Sequence, residues 1–256
     1  MMSKLHSWFL NARVNSQAKL RLFCLPYAGG GASVFREWQQ FFPKDIEVCP
    51  IQLPGREGRG LESPMTSLTE IVQTLVTEIE PLLHTPFVFF GHSMGAMLAF
   101  ETVRQIGEKY ERIPEHLFVS GRSAPHLSSM NKQLHHLDDD QFKIELRLLK
   151  GTPEAILQHD ELMELLMPRL RADFELCETY VYKQAEPLAC PISAFGGIAD
   201  EDVSAASIAA WNEHTQHEFN MKMFDGDHFF IHSRQDEVMK FVYEIFHKTP
   251  AILART

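Results

Sequence analysis

Short apolar runs alternate along this chain with longer segments in which apolar residues recur every three or four positions. The apolar runs predict buried strands at residues 20–25, 46–51, 87–90, 117–120, 191–197 and 219–224. The most regular helical pattern follows Ser67, where apolar residues from Leu68 to Leu83 form one stripe that predicts a helix facing the core. Because strands and helices alternate, we expect an α/β fold with a mostly parallel central sheet flanked by helices.

Three shorter segments carry helical patterns as well. Aromatic residues at 35, 38, 41 and 42 share one face after the first strand and predict a helix there. A short helix is predicted over residues 211–217, before the last strand. Ser233 is predicted to cap the final helix, whose apolar face includes Val238 and Val242.

Residues 126–183 break the alternation, because this segment is too long for a loop and its apolar residues recur at helical spacing. Phe142, Leu146 and Leu149 share one helical face. We expect an all-helical insertion that covers the edge formed by the carboxyl ends of the strands as a lid, with a short pocket beneath it. The alternative is an additional packing layer without a gating role. The chain is otherwise expected to form a single domain over residues 1–256, with the insertion inside it.

Charge and composition exclude several classes of protein. A formal net charge of −10 in 256 residues argues against non-specific binding to nucleic acid. No apolar run approaches the ~20 residues of a membrane span. The first residues lack the apolar region of a signal peptide, so we expect a cytoplasmic protein that acts as a monomer away from membranes.

Cysteine and histidine spacings argue against a metal or redox centre. The four cysteines show no C-x-x-C spacing, and Cys24 and Cys49 fall in predicted strands, which indicates buried thiols. His135 and His136 precede three aspartates, but no matching set of ligands occurs elsewhere in the sequence. We therefore expect neither a metal nor a cofactor.

The segment Gly91-His92-Ser93-Met94-Gly95 has the G-x-S-x-G pattern of a nucleophile elbow. An apolar strand lies directly before it, and a helical pattern over residues 96–106 lies directly after it, which is the context that this motif requires. Glycine is expected at positions 91 and 95 because a Cβ there would collide with neighbouring backbone. The pattern predicts that Ser93 is a nucleophile raised above the sheet.

Three consecutive glycines follow the first strand, at residues 29–31. Such a loop could bind a phosphate, but the lysine of a phosphate-binding loop is absent. A better interpretation is that the loop supplies one donor of an oxyanion hole. The expected donors are the backbone N–H groups of Ala28 and Met94.

An acid and a histidine follow the serine in the order that is typical of α/β-hydrolases. His228 follows the last predicted strand and is preferred to His232, which falls at the start of a helix, and to His92, which is expected to be a packed structural histidine pointing elsewhere. Asp200 follows the strand that ends at Gly197 and is preferred to Glu201 and Asp202. Ser93 would attack an acyl carbonyl, His228 would accept its proton, and Asp200 would orient the imidazole.

Several motifs together resemble the type II thioesterases of nonribosomal peptide and polyketide synthesis. In order, they are LPYAGGGAS at 25–33, LPGRE at 53–57, FGHSMG at 90–95, GTP at 151–153, LRAD at 170–173 with ETY at 178–180, and GDHFF at 226–230. The resemblance implies an α/β-hydrolase fold and the same catalytic set of Ser93, Asp200 and His228, with Ala28 and Met94 in the oxyanion hole. The sequence departs from the family at Ile198 and Ala199, where a charged pair is commoner.

The resemblance also implies a function and a partner. Such enzymes remove stalled or aberrant acyl groups from the phosphopantetheine arms of acyl or peptidyl carrier proteins. The nearest alternative is a medium-chain fatty acyl thioesterase, which shares several of the motifs. A general esterase and a non-catalytic carrier-binding module are further alternatives, although the intact serine, aspartate and histidine argue against the module.

Overall fold

A computed structural model describes residues 8–9, 15–127 and 133–248 of the chain. Six strands form one sheet in the order β2-β1-β3-β4-β5-β6, and every neighbouring pair in that sheet is parallel. The strands are β1 Leu20–Leu25, β2 Ile46–Pro50, β3 Phe87–His92, β4 His116–Ser120, β5 Ile192–Gly197 and β6 Phe219–Phe224. The predicted parallel α/β sheet is therefore confirmed.

Helices lie on both faces of the sheet. They are α1 Leu68–Ile79, α2 Met94–Tyr110, α3 Asp139–Leu148, α4 Glu154–Leu157, α5 Asp160–Thr179, α6 Ala205–Ala209, α7 Phe230–Ser233 and α8 Gln235–Lys248. Alternate strand residues point to opposite faces, so Phe23 packs in the cluster that contains α1 and α2, and Leu22 packs in the cluster that contains α8. The hydrophobic stripe of α1 is buried, and Ser67 caps this helix by accepting a hydrogen bond from the Glu70 backbone N–H.

Three predicted helical features were wrong in detail. The aromatic segment after the glycine loop forms two 3₁₀ turns, Ala32–Phe35 and Trp38–Phe41, which bury Phe35 and Trp38. Another 3₁₀ turn, Ala210–His214, replaces the helix predicted near Trp211. Ser233 ends α7 instead of capping α8, because the Arg234 carbonyl accepts the first bond of α8 from Val238.

The described part of the insertion, residues 133–183, contains α3, α4 and α5 and no strand. These helices share a hydrophobic cluster of their own, in which Phe142 and Met163 are almost completely buried. Residues 128–132 lie outside the described residues, so the start of the insertion at residue 126 stays a prediction. The single-domain boundary at 1–256 stays a prediction as well, because both ends of that range are outside the described residues.

His116 lies in the middle of the sheet as a buried titratable group. Its ring stacks on Phe118 with centroids 4.4 Å apart, and its Nε2 lies 2.9 Å from the hydroxyl oxygen of Ser193. Its Nδ1 is buried and has no hydrogen-bond partner among the described residues. Burial lowers the pKa of His116 to about 3, because the protonated ring would lose its hydration.

We predict that His116 makes folding stability fall as the pH is lowered. The unfolded chain binds a proton on this imidazole below a pH of about 6.5, whereas the folded protein binds it only near pH 3, so the loss begins below about pH 6.5 and grows until about pH 3. Between about pH 7 and 5 the loss is roughly 2 kcal/mol. His116→Gln keeps a donor for Ser193 without titrating, and its unfolding free energy should fall by that much less over the same interval. Equal slopes for both proteins in denaturant titrations at each pH would contradict the prediction.

Candidate active site

The predicted elbow joins β3 to α2 through a single residue. Ser93 has φ 54° and ψ −114°, a conformation that non-glycine residues adopt only when the surrounding structure holds it. Its backbone N–H donates to the Ser120 carbonyl over 2.7 Å. A Cβ on Gly91 would lie 2.0 Å from the Gly95 carbonyl oxygen, and a Cβ on Gly95 would lie 2.0 Å from the Leu25 carbonyl oxygen. Both positions therefore require glycine, as expected.

The structure brings the predicted acid and base together beyond the ends of β5 and β6. The carboxylate Oδ2 of Asp200 lies 2.7 Å from Nδ1 of His228. Since a carboxylate can only accept, Nδ1 carries the hydrogen, and Nε2 is left to accept a proton. The other oxygen of Asp200 accepts from the backbone N–H groups of Asp202 and Val203, over 3.0 and 3.1 Å. Only 1% of the Asp200 side chain is exposed, compared with 23% of the His228 side chain.

The rival candidates are placed differently. His232 Nε2 lies 2.9 Å from the hydroxyl of Tyr27, away from Asp200. Asp202 contacts Asp200 through its backbone, and the structure assigns no hydrogen bond between His228 and the side chain of either Asp202 or Glu201.

Ser93 and His228 line the same cavity, which has a volume of about 170 Å³. The insertion contributes apolar walls, and the loops of the sheet contribute the rest. The lining residues include Tyr27, Ala28, Arg122, Leu146, Leu149, Gly151, Thr152, Leu170, Phe174, Cys177, Asp202 and Phe229. Leu146 and Leu149 of the insertion reach the cavity, whereas Phe142 and Met163 belong to the hydrophobic core of the insertion.

Of the two expected oxyanion donors, one lines this cavity and the other directly follows Ser93. Ala28 is one of its lining residues, and Met94 is the first residue of the helix that follows Ser93. Neither backbone N–H donates to an acceptor within the described part of the chain. The first N–H groups of a helix carry partial positive charge and favour a developing negative charge. This arrangement can stabilise an oxyanion beside Ser93.

A buried ion pair holds the glycine loop in place. Arg56 donates from Nη1 and Nη2 to the two oxygens of Asp173 on α5, over 2.8 and 2.7 Å. The same Nη1 donates to the Gly30 carbonyl over 2.9 Å, and the Gly29 N–H donates to Asp173 over 2.7 Å. The side chains of Arg56 and Asp173 are 2% and 1% exposed. The backbone beside Ala28 is thus fixed by a residue of the insertion.

Sequence reasoning did not assign a role to Arg56 or Asp173. The signal was present, because LPGRE and LRAD are two of the motifs that carry the family resemblance. The sequence does not show that the two side chains meet, because the residues are 117 positions apart along the chain.

His92 is fully buried, as expected of a structural histidine, but its surroundings were not foreseen. Its Nδ1 lies 2.8 Å from the Ser120 hydroxyl, and its ring centroid lies 5.2 Å from that of His228. Burial, together with the neighbouring His228, lowers the pKa of His92 well below its ordinary value. A neutral ring therefore packs against the catalytic candidate, so His92 points toward the site and not away from it.

The charged groups of the insertion differ in whether they have a partner. Arg171 is paired with Asp139 over 2.6 Å, and burial lowers the pKa of Arg169, whose Nε lacks a hydrogen-bond partner among the described residues. His135 is hydrogen-bonded to Glu178.

The described residues contain no cluster of three or more side chains suited to a metal ion. No helix among them is long and apolar enough to cross a membrane.

Comparisons with known proteins agree with this geometry. The thioesterase domain family matches residues 20–246. The gramicidin S biosynthesis protein GrsT of Aneurinibacillus migulanus is 55% identical over 240 residues, which are 94% of each chain. The medium-chain S-acyl fatty acid synthase thioesterase of Rattus norvegicus is 31% identical over 226 residues, covering 87% of this chain and 86% of that one.

A solved structure provides the third comparison. The type II thioesterase BorB from the borrelidin biosynthetic cluster superposes with a TM-score of 0.84 at 34% identity, covering 93% of this chain and 97% of that chain. This neighbour confirms the predicted α/β-hydrolase fold. The chain therefore belongs to the thioesterase domain family, and it is a thioester hydrolase.

Proposed function

We propose that this thioesterase is an editing enzyme that removes stalled or aberrant acyl groups from the phosphopantetheine arms of carrier proteins in nonribosomal peptide or polyketide synthesis. The observation that carries the proposal is a serine elbow beside the hydrogen-bonded Asp200–His228 pair, in a cavity bounded by the insertion. The 55% identity to GrsT and the fold similarity to BorB support the pathway class.

The proposed reaction has two halves. The Ser93 hydroxyl attacks the thioester carbonyl while His228 Nε2 accepts its proton, and Ala28 and Met94 donate to the oxyanion. The C–S bond then breaks, the carrier thiol leaves with the proton from His228, and an acyl-serine ester remains. A water molecule attacks that ester, His228 accepts the water proton and returns it to Ser93, and the free carboxylic acid is released.

Leu146, Leu149 and Phe174 give the cavity an apolar wall that suits an acyl chain. The medium-chain fatty acid synthase thioesterase is a more distant relative than GrsT, at 31% identity compared with 55%. This difference favours editing over the release of fatty acids.

The partners in this proposal are acyl or peptidyl carrier proteins, and the enzyme acts as a monomer in the cytoplasm. Support for a reducing compartment comes from the cysteines, since Cys24, Cys49, Cys177 and Cys190 are all free and buried.

Ser93→Ala should leave a folded protein with almost no thioester hydrolysis. Loss of the nucleophile from a cooperating triad costs about 10⁶ in kcat. The measurement is thiol release from an acyl thioester, with the thermal unfolding temperature as the control for folding. A serine-directed phosphonate should label the parent protein and not the variant. Retention of more than a few per cent of the turnover would remove Ser93 from this role.

Asp200→Asn and Asp202→Asn form a matched pair that tests the acid. Asparagine at 200 would leave the His228 ring without its carboxylate and favour the wrong tautomer, an effect worth about 10⁴ in kcat in a serine protease triad. Asparagine at 202 keeps the backbone N–H that bonds Asp200 and should change kcat little. Glu201→Gln belongs in the same series. If Asp202→Asn were the inactive variant, the acid would have to be reassigned.

The carrier should increase the efficiency of hydrolysis. Contacts remote from the reacting carbonyl contribute binding energy, so kcat/KM for one acyl group should rise from a short thiol to free phosphopantetheine and again to the intact carrier. The intact insertion is used in this test, because α5 carries Asp173 and its removal would also disturb the glycine loop. Equal kcat/KM for the three thiols would indicate a general esterase instead.

A further inference from the structure

Arg122 places a guanidinium group at the wall of the catalytic cavity. It follows Gly121 at the carboxyl end of β4 and lines the cavity together with Ser93 and His228. Its backbone is held in place, because the indole N–H of Trp211 donates to the Arg122 carbonyl over 2.7 Å. The side chain is half-buried. Its position is therefore set by the fold and not by a flexible surface loop.

The protein supplies this group with weak partners only. Nη2 lies 3.7 Å from the thioether sulfur of Met97, and the thiol of Cys177 is also adjacent. Burial raises the pKa of Cys177 to about 12, against a smaller opposing effect of the Arg122 charge, so the thiol stays neutral. No carboxylate lies within 4.0 Å of the Arg122 guanidinium in the described part of the chain.

The absence of an ion pair at Arg122 is unusual among the described arginines of this protein whose side chains are buried or half-buried. Each of the following forms an ion pair with a carboxylate: Arg21, Arg56, Arg59 and Arg104. Arg169 also lacks an ion pair within the described residues, but it does not line the catalytic cavity. A guanidinium has five N–H donors and no acceptor, and a partly desolvated charge without a partner is unfavourable. A substrate oxygen can supply the missing acceptor.

The position along α2 indicates which part of the substrate is within reach. Met94 is the expected oxyanion donor, and Met97, which contacts Arg122, lies three residues further along the same helix. Three residues correspond to about 4.5 Å along a helix axis, so the guanidinium lies against the first turn of the helix whose start carries the expected oxyanion donor. An acceptor on the third carbon of the acyl group is close enough to the thioester carbonyl to meet a wall residue that contacts this turn. The side chain of Asp202 also lines the cavity, but it is exposed and not within ion-pairing distance of Arg122.

We propose that Arg122 determines acyl specificity by binding an oxygen at the third carbon of the acyl group, as in 3-carboxyl or 3-oxo acyl thioesters. The proposal deepens the proposed function by naming the substrate class, and it rests on the thioesterase activity of the same cavity. An amide carbonyl of the pantetheine arm is a second group that could supply an acceptor oxygen in this cavity. If Arg122 binds the acyl group, its substitution changes kcat/KM according to the acyl group. If Arg122 binds the arm, its substitution changes kcat/KM according to the thiol.

Three acyl groups of equal size test the idea: malonyl, acetoacetyl and isovaleryl, which have six heavy atoms and differ in the oxygens on the third carbon. Each is attached to ethanethiol, which has no amide, and to pantetheine. For the parent enzyme, kcat/KM should be higher for malonyl and acetoacetyl than for isovaleryl on both thiols. In Arg122→Met, which preserves contact with the sulfur atoms, kcat/KM should fall about 10- to 100-fold for malonyl, the range expected for a charge-assisted hydrogen bond. The readout is the ratio of kcat/KM for malonyl to kcat/KM for isovaleryl, which should fall by that factor.

Two further variants sharpen the result. Arg122→Lys keeps the charge but loses the planar fork, and it should recover part of the malonyl activity and less of the acetoacetyl activity. Arg112→Met removes an exposed arginine outside this cavity and should change none of the ratios. Thermal unfolding of each variant confirms that it is folded.

Several outcomes would overturn the proposal. An equal loss for all three acyl groups on both thiols would mean that Arg122 only supports the structure. A loss restricted to pantetheine substrates would assign its acceptor to the arm. Unchanged selectivity in Arg122→Met would remove the residue from substrate binding. Because these substrates need no carrier protein, a failed carrier preference would refute the editing function without affecting this test.

Discussion

The buried ion pair between Arg56 and Asp173 connects three separate parts of the molecule: the loop after β2, the glycine loop after β1 and helix α5 of the insertion. Both oxygens of Asp173 are used, and both partners are almost completely buried. Removing one partner from such a pair typically costs 3–5 kcal/mol, because the other charge is left buried and unpaired. Movement of α5 away from the glycine loop would have to break this pair, which favours a packing role over a gating role for α5.

Close backbone packing provides the second constraint on the site. Gly91 contacts Gly95 across the elbow, and Gly95 contacts the Leu25 carbonyl at the end of β1, so the start of α2 is pressed against the loop that carries Ala28. Neutral His92 fills the space beneath the catalytic histidine candidate and is hydrogen-bonded to Ser120 on β4. The two expected oxyanion donors are therefore held by close packing against the sheet as well as by the Arg56–Asp173 pair, and little reorganisation is needed when negative charge develops.

The charges around the cavity indicate what the site can bind, which the net charge of the chain does not. A net charge of −10 would repel an acidic partner at long range. Inside the fold, however, most protected arginines are neutralised by carboxylates, whereas Arg122 faces the cavity with two sulfur atoms as neighbours. Local desolvation determines what such a group can bind, because electrostatic interactions strengthen as water is excluded.

The sequence alone determined the strand and helix alternation, the elbow and its two glycines, and the preference for Asp200 over its neighbours as the partner of His228. These features depend on local rules: side-chain periodicity, the space that a Cβ needs, and the order of residues at strand ends. The sequence patterns wrongly predicted a helix after the glycine loop and a Ser233 cap for α8. At both places tertiary packing and neighbouring backbone hydrogen bonds override the local pattern. Only the tertiary structure placed Asp173 against Arg56, His92 beneath His228, and Arg122 without a carboxylate at the cavity wall. Each of these contacts joins residues that are distant along the chain, and no local pattern encodes which distant side chains will meet.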